Sequence, residues 1–204
     1  VLFIDEIHRM TNIVEEFLYP VMEDFKVDMS MSGKENFGET ISIDIPRFTL
    51  MGATTEYGSL SKPLIDRFQH KHTLKLYNNV ELQEIVNINS KKLNLKMSDQ
   101  ASIFVTKVSR GTPRIANSTL EWLRDYQLAQ GIKTLSEGHV EAAMGMKGID
   151  SDGMTEMDRK YLQTLKISGQ PLGIETLSCT TGIDRQTIEG IIEPWLLRKN
   201  KIIK

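Results

Sequence analysis

Val1-Leu2-Phe3-Ile4 runs without interruption into Asp5-Glu6. A short continuous apolar run fits a strand buried on both faces, as in a parallel sheet covered by helices. Such a strand delivers its last residues to the carboxyl edge of the sheet, where α/β ligand sites form. An aspartate there can hold magnesium, directly or through water. A glutamate beside it can orient or deprotonate an attacking water. A strand end capped by two solvated acids accounts for the same residues, so the run alone leaves both readings open.

The 204 residues suffice for one large domain or two to three small ones. The net charge of −2 provides no global basic field, so any nucleic-acid surface has to be a local patch. Cys179 is the only cysteine, which excludes an internal disulfide and a cysteine-rich zinc site and favours a reducing compartment. The opening turns acidic too soon for a signal peptide, and no apolar run is long enough to span a membrane. A cytosolic protein with no membrane partner is expected.

Asn12 reads as a helix cap with Glu15 as its capping-box partner. Val14, Phe17, Leu18, Val21 and Met22 form the apolar face, and Pro20 should kink or end the helix. Val27, Met29 and Met31 alternate with polar residues, as do Ile41, Ile43 and Ile45, predicting a β-hairpin around SGKENFGE. FTLMGA, Phe48 to Ala53, is a second buried strand leading into Thr54-Thr55, and a short strand is expected over Thr73 to Leu76.

Helices follow. Leu82, Ile85, Val86 and Leu93 mark one, and Ile103, Phe104 and Val108 the next. Thr112-Pro113 starts a third, which Gly131 ends, and Ser136 caps a fourth through Met146. Lys147 to Thr155 reads as a linker. Beyond it, helices at Met157–Leu165 and Ile174–Leu177, a turn at Gly182 and a helix capped by Asp184 read as a winged helix-turn-helix. RKNKIIK would supply a turn and the first wing strand.

FIDEIHRM, GATT, PLIDRF and SRGTPRIAN, in that order, resemble the AAA+ ATPases and, more closely, the RuvB family of Holliday junction branch-migration motors. VEEFLYPVMED and the C-terminal stretch from EMDRKYLQTL to EPWLL are similar to that family too, so the resemblance covers essentially the whole chain. It implies an α/β P-loop AAA+ core (its C-terminal part, 1–78), an α-helical lid domain (79–149) and a winged-helix DNA-binding domain (150–204). It implies ATP and Mg2+ as ligands. The implied partners are four-way junction DNA gripped without sequence specificity, RuvA, the chain itself in a hexameric ring, and RuvC indirectly.

By the resemblance, Asp5 holds magnesium and Glu6 activates water. Thr54 and Thr55 fall on the sensor 1 position, with Thr55 favoured by its spacing to PLIDRF; two threonines opening a turn is the plainer reading. Arg67 falls on the arginine finger, which reaches a neighbouring subunit's nucleotide. An Arg paired with Asp66 or another surface acid fits the spacing equally. The family's usual second Arg two residues earlier is Ile65 here, and a Gly that often follows the Phe is Gln69. Arg114 falls on sensor 2; its place in the first turn of a helix is unfavourable for a cation unless it meets a phosphate.

The family's hairpin docks RuvA, which makes Val27, Met29, Phe37, Ile41 and Ile43 candidate contacts, although residues near the hairpin base can pack on the chain's own core. Arg185, Arg198, Lys199 and Lys201 are candidate phosphate contacts, or a solvated charged end. The family usually continues into a basic turn past the wing, so part of the DNA grip is expected to be absent. His8 and the other histidines read as neither metal ligands nor bases. Trp122 and Trp195 read as packing residues.

The sequence contains no GxxxxGK[ST] loop; GSLSKP at Gly58 to Pro63 has the wrong spacing and no preceding strand. In the family that loop lies N-terminal to the first acidic motif. The chain is therefore expected to correspond to the C-terminal part of such a motor and not to bind ATP with normal affinity. The rival readings are a non-hydrolysing DNA- or RuvA-binding adaptor and, disfavoured by the winged helix, another AAA+ member such as a clamp-loader subunit.

Overall fold

A computed structural model describes residues 1–30 and 40–203. Met31 and Phe37, named above as hairpin residues, lie outside the described residues, as does Lys204. The chain divides into two compact units, Val1–Leu74 and Lys75–Lys204.

In the first unit, β1 (Leu2–Ile4) and β4 (Leu50–Gly52) pair in parallel, with Leu2 opposite Leu50 and Ile4 opposite Gly52. Backbone bonds from Ala53 N to Ile4 O (2.9 Å) and from Ile7 N to Ala53 O (2.9 Å) extend the pairing past both strand ends. Gly52 is required there: a Cβ would stand 2.8 Å from Ile7 Cδ1, and Ile7 is buried. The expectation of a strand buried on both faces is corrected, because Leu2 and Phe3 are 44% and 60% exposed. Among the described residues this sheet has two strands, so neither face is fully covered.

Helix α1 (Asn12–Glu23) corrects three expectations. Its N-cap is Thr11, without a side-chain bond, and the Glu15 carboxylate, expected to close a capping box, instead accepts from Ser61 Oγ at 2.5 Å. The buried face is Glu15, Leu18 and Val21, while Val14 and Phe17 are exposed. Pro20 does not end the helix, which runs on to Glu23. The bond it cannot make would end at Glu16, an exposed residue whose carbonyl water can satisfy.

Strands β2 (Lys26–Ser30) and β3 (Thr40–Asp44) form the antiparallel hairpin, with Val27 opposite Ile43 and Met29 opposite Ile41. Directly paired residues share a face, so Val27, Ile41 and Ile43 fall on one side. At the base, Phe25 meets Phe48 edge-on at 6.1 Å, with the Arg47 guanidinium over the Phe25 ring. Helix α2 (Lys62–Arg67) is capped by Ser61 and buries Leu64. The expected strand over Thr73 to Leu76 is not formed; that segment enters no ladder, and the nearest bond is a single one from Tyr77 N to Gly111 O.

In the second unit, α3 (Asn79–Lys92), α4 (Asp99–Val108), α5 (Pro113–Gln130) and α6 (Glu137–Met146) enclose a core of Leu82, Val86, Phe104, Val105, Leu120 and Leu123. Local chemistry sets their ends. The Asn78 side chain caps α3 with Glu81 closing the box, Ser136 caps α6, and Gly131 ends α5 at φ 64°.

Then come α7 (Glu156–Ser168), α8 (Ile174–Thr181), and a continuous helical stretch of α9 (Arg185–Thr187), a π turn (Ile188–Ile192) and α10 (Glu193–Arg198). They pack Tyr161, Leu177, Ile188, Ile192 and Trp195 together. The π turn closes where Pro194 removes a donor, and Glu193 N reaches back to Ile188 O. The expected wing strand at Arg198 to Ile203 is not present. Instead Lys201 N bonds Leu196 O at 2.9 Å with Asn200 at φ 52°, a helix-closing turn that consumes the donors a strand would offer.

Candidate functional site

The parallel register brings the acidic and hydroxyl pairs together. Asp5-Glu6 leaves the carboxyl end of β1 and Thr54-Thr55 the corresponding end of β4. Thr55 Oγ1 donates to Glu6 Oε2 at 3.2 Å. Glu6 adopts φ 49°, a left-handed conformation uncommon for a residue with a Cβ. Its own N–H lies 3.1 Å from Asp5 Oδ1. Backbone strain of this kind concentrates where side-chain direction matters. Asp5 is exposed, with its carboxylate at the sheet edge.

His8, read in the sequence as neither a metal ligand nor a base, lies in this cluster. Its side chain is 9% exposed, with Nδ1 2.9 Å from Thr54 Oγ1 and 3.3 Å from Glu6 Oε2. The other ring nitrogen is 3.9 Å from Glu56 Oε1, and Glu56 N donates to Thr54 Oγ1 at 3.0 Å. Sequence spacing gave no sign of this, because the 3-10 turn Ile7–Arg9 that aims the ring inward forms only where Ile7 packs on Gly52.

Arg67 is held within its own unit. Nη1 donates to Pro63 O at 2.9 Å, and the guanidinium stacks over the Tyr19 ring at 4.1 Å. Nε lies 3.0 Å from Glu23 Oε1, near enough for an ion pair but not aligned for a hydrogen bond. The partner acid is thus Glu23 rather than Asp66. Arg114 sits exposed in the first turn of α5, in the second unit.

On the hairpin, Ile41 and Ile43 are each 46% exposed and Val27 is half-buried. Arg185 is engaged by Glu189 Oε2 at 3.1 Å and Glu175 Oε1 at 3.3 Å. Arg198, Lys199 and Lys201 are exposed. The Asp152 carboxyl is held below its usual range by a hydrogen bond and charge from Lys107, with Lys201 and Lys199 contributing further. The field of the basic cluster thus reaches an acid of the connecting segment.

Among the described residues no group of three or more His, Cys, Asp or Glu side chains is arranged to hold a metal ion. Magnesium needs less: one or two carboxylates complemented by substrate phosphates and water suffice, and an exposed Asp5 beside Glu6 fits that mode. No helix among the described residues is long and apolar enough to cross a membrane.

A parallel strand pair ending in acids and hydroxyls, a four-helix lid and a three-helix module with a tight turn define the class: a P-loop AAA+ protein with an appended winged helix. Residues 1–74 match the Holliday junction DNA helicase RuvB P-loop domain, residues 77–150 the RuvB AAA lid domain and residues 151–204 the RuvB C-terminal winged helix domain. The chain belongs to the RuvB family.

It is 44% identical over 200 residues to the Holliday junction branch migration complex subunit RuvB of Fusobacterium nucleatum, covering 97% of this chain and 60% of that one. The same subunit of Rubrobacter xylanophilus is 43% identical over 203 residues, covering 98% and 57%. The solved Thermotoga maritima RuvB Holliday junction branch migration motor aligns with a TM-score of 0.75 at 35% identity, covering 97% of this chain and 62% of that one. A single-residue variant of the Thermotoga protein aligns with a TM-score of 0.78 at 37% identity, again covering 97% of this chain and 62% of that one. The chain thus spans about 60% of the length of the relatives it matches.

Proposed function

We propose that this chain forms the lower catalytic edge, lid and DNA-binding module of an ATP-driven motor subunit that moves Holliday junctions in recombination and repair. The observation that carries this reading is the hydrogen bond from Thr55 to Glu6 across the ends of β1 and β4. It sets a carboxylate beside Asp5 in a fixed direction at the edge of a parallel sheet, where nucleotide phosphates bind in α/β folds.

In this reading Asp5 holds magnesium, which neutralises charge on the phosphate oxygens when bound. Glu6 orients a water and accepts its proton. Thr54 and Thr55 sense the γ-phosphate, with Thr55 reporting directly to Glu6. Arg67 acts on a neighbouring subunit's nucleotide in a hexameric ring, exchanging Glu23 for phosphate. Arg114 touches phosphate from the lid. Val27, Met29, Phe37, Ile41 and Ile43 dock the junction-recognising partner RuvA, and RuvC acts indirectly on the same junction. Arg198, Lys199 and Lys201 grip phosphates on DNA arms without reading sequence, and Arg185 joins them on leaving its acids. The residues present do not by themselves hold ATP, since no glycine-rich phosphate loop occurs among them.

The test is ATP hydrolysis and branch migration of a synthetic four-way DNA by the product of the complete reading frame that contains Val1–Lys204. Glu6→Gln should lower hydrolysis by about 100-fold or more while nucleotide binding persists, as for loss of a general base. A complete frame that lacks GxxxxGK[ST] and hydrolyses nothing would replace the motor with a DNA- or RuvA-binding adaptor.

A further inference from the structure

The segment between lid and winged helix, which its glycines and short polar residues mark as a linker, is tied down on both sides. Arg159 Nη2 donates to Gly148 O and Nη1 to Met154 O, each at 2.9 Å. Asp150 Oδ1 accepts from Asp152 N and Met154 N. Gly153, at φ 80°, passes so close to α4 that a Cβ would stand 3.1 Å from Val108 Cα. Lys107 Nζ meets Asp152 Oδ1 at 3.0 Å.

Arg110 stands at the centre of this contact. It lies in the turn Ser109–Thr112, closed by Thr112 N to Ser109 O at 2.9 Å, and both central residues have positive φ: Arg110 at 56° and Gly111 at 78°. Glycine or asparagine is the natural occupant of such a position, so Arg sits there against local preference. Its side chain accounts for that. Nε and Nη2 both donate to Gly153 O, at 3.1 and 2.7 Å, and Nη2 donates to Asp158 Oδ2. Asp158 is buried, and the same Oδ2 also accepts from Thr155 N and Oγ1. The guanidinium plane lies 4.0 Å over the Trp195 ring. One lid side chain thus grips the connecting segment, the first turn of α7 and α10. A guanidinium suits this because it forks and stacks at once.

The same turn leads directly into Thr112, Pro113 and Arg114 at the start of α5. Its far side is fixed too, with Tyr77 N bonded to Gly111 O and a would-be Gly111 Cβ 3.2 Å from Tyr77 O. We propose that Arg110 is a positioning residue that locks the winged helix to the turn carrying Arg114, so that lid and winged helix move as one body. The lock itself needs no nucleotide. Its consequence, that displacement at Arg114 reaches the DNA-binding module undiminished, rests on the function proposed above.

The test is solution NMR on the 204-residue chain, with residual dipolar couplings measured over residues 79–146 and 156–198. The wild type should fit one shared alignment tensor, and its Arg110 Nε–H should show a slowly exchanging resonance shifted upfield by the Trp195 ring. Arg110→Met keeps the aliphatic stem and removes the fork, and should split the fit into two tensors with each module still folded. Should that variant fail to fold, Arg110→Lys, which keeps charge and length, carries the same expectation. Two tensors in the wild type, or one shared tensor in the substituted chain, would overturn the proposal. Absence of nucleotide binding by the product of the complete reading frame would count against the motor reading and leave this result untouched.

Discussion

Arg67 stands with Nε 3.0 Å from Glu23 Oε1, on the same side of α1 as the Tyr19 ring that its guanidinium covers. A side chain that has to act on another subunit's phosphate leaves this pair to do so. Arg67→Ala should therefore lower the stability of the Val1–Leu74 unit by about 1 kcal/mol, the sum of a partly exposed ion pair and a cation–π contact. Glu23→Gln should cost less, since the stack survives. Urea unfolding measures both, and equal losses would mean that the ion pair, not the ring, holds Arg67.

Ile43 faces Val27 across the hairpin and is about half exposed. Ile43→Asp should weaken capture of RuvA by at least about tenfold, the range of an apolar interface anchor. The thermal midpoint should stay unchanged because little buried surface is lost. Retained capture would remove this face from the interface; a collapsed midpoint would reassign Ile43 to the core.

Tyr161 donates to Glu193 Oε1 at 2.9 Å inside the winged helix. Burial first, then the hydrogen bond and charge of Glu193, push the phenol well above its ordinary value. A raised folded-state value contributes stability that is complete below the unfolded value, about pH 10, and is lost as pH rises from there toward the folded value. Tyr161→Phe should cost about 1 kcal/mol at neutral pH and flatten the alkaline loss. Denaturant titrations at neutral pH and above pH 10 give the answer, and an unchanged alkaline slope would refute the assignment.

Lys199 and Lys201 are exposed and near each other in sequence, whereas Arg185 is engaged by Glu175 and Glu189. If each lysine contacts one phosphate, Lys199→Gln and Lys201→Gln should each reduce the slope of log affinity against log salt by about 1, equally on any DNA sequence. Arg185→Ala should change it less, because each phosphate contact it gains is offset by its release from Glu175 and Glu189. Fluorescence anisotropy on a four-way junction across a salt series reads the slopes; a slope unchanged in the double lysine variant would move the DNA grip elsewhere.

Helix ends were legible in the sequence wherever capping is local. Ser136, Asp184, Gly131 and Gly182 each sit within a turn of the groups they satisfy, and each ends or begins a helix as expected. The hairpin was legible from its alternation, whereas the register that pairs Val27 with Ile43 is set only in the fold. The Asn12 cap was not: the Glu15 carboxylate instead accepts from the distant Ser61.

The order of acids, hydroxyls and arginines along the chain, and the helices and turns that carry them, follow from neighbouring residues alone. Three pairings do not. Glu15 meets Ser61 and His8 meets Thr54 across 46 residues each, and Arg110 meets Gly153 across 43. Periodicity and capping act over a single turn, so nothing in the sequence marks these partners. Packing of Ile7 on Gly52 brings His8 to Thr54, and packing of Gly153 on Val108 brings Arg110 to Gly153. Only that closure turned His8 into a neighbour of Thr54, and a linker into a clamp.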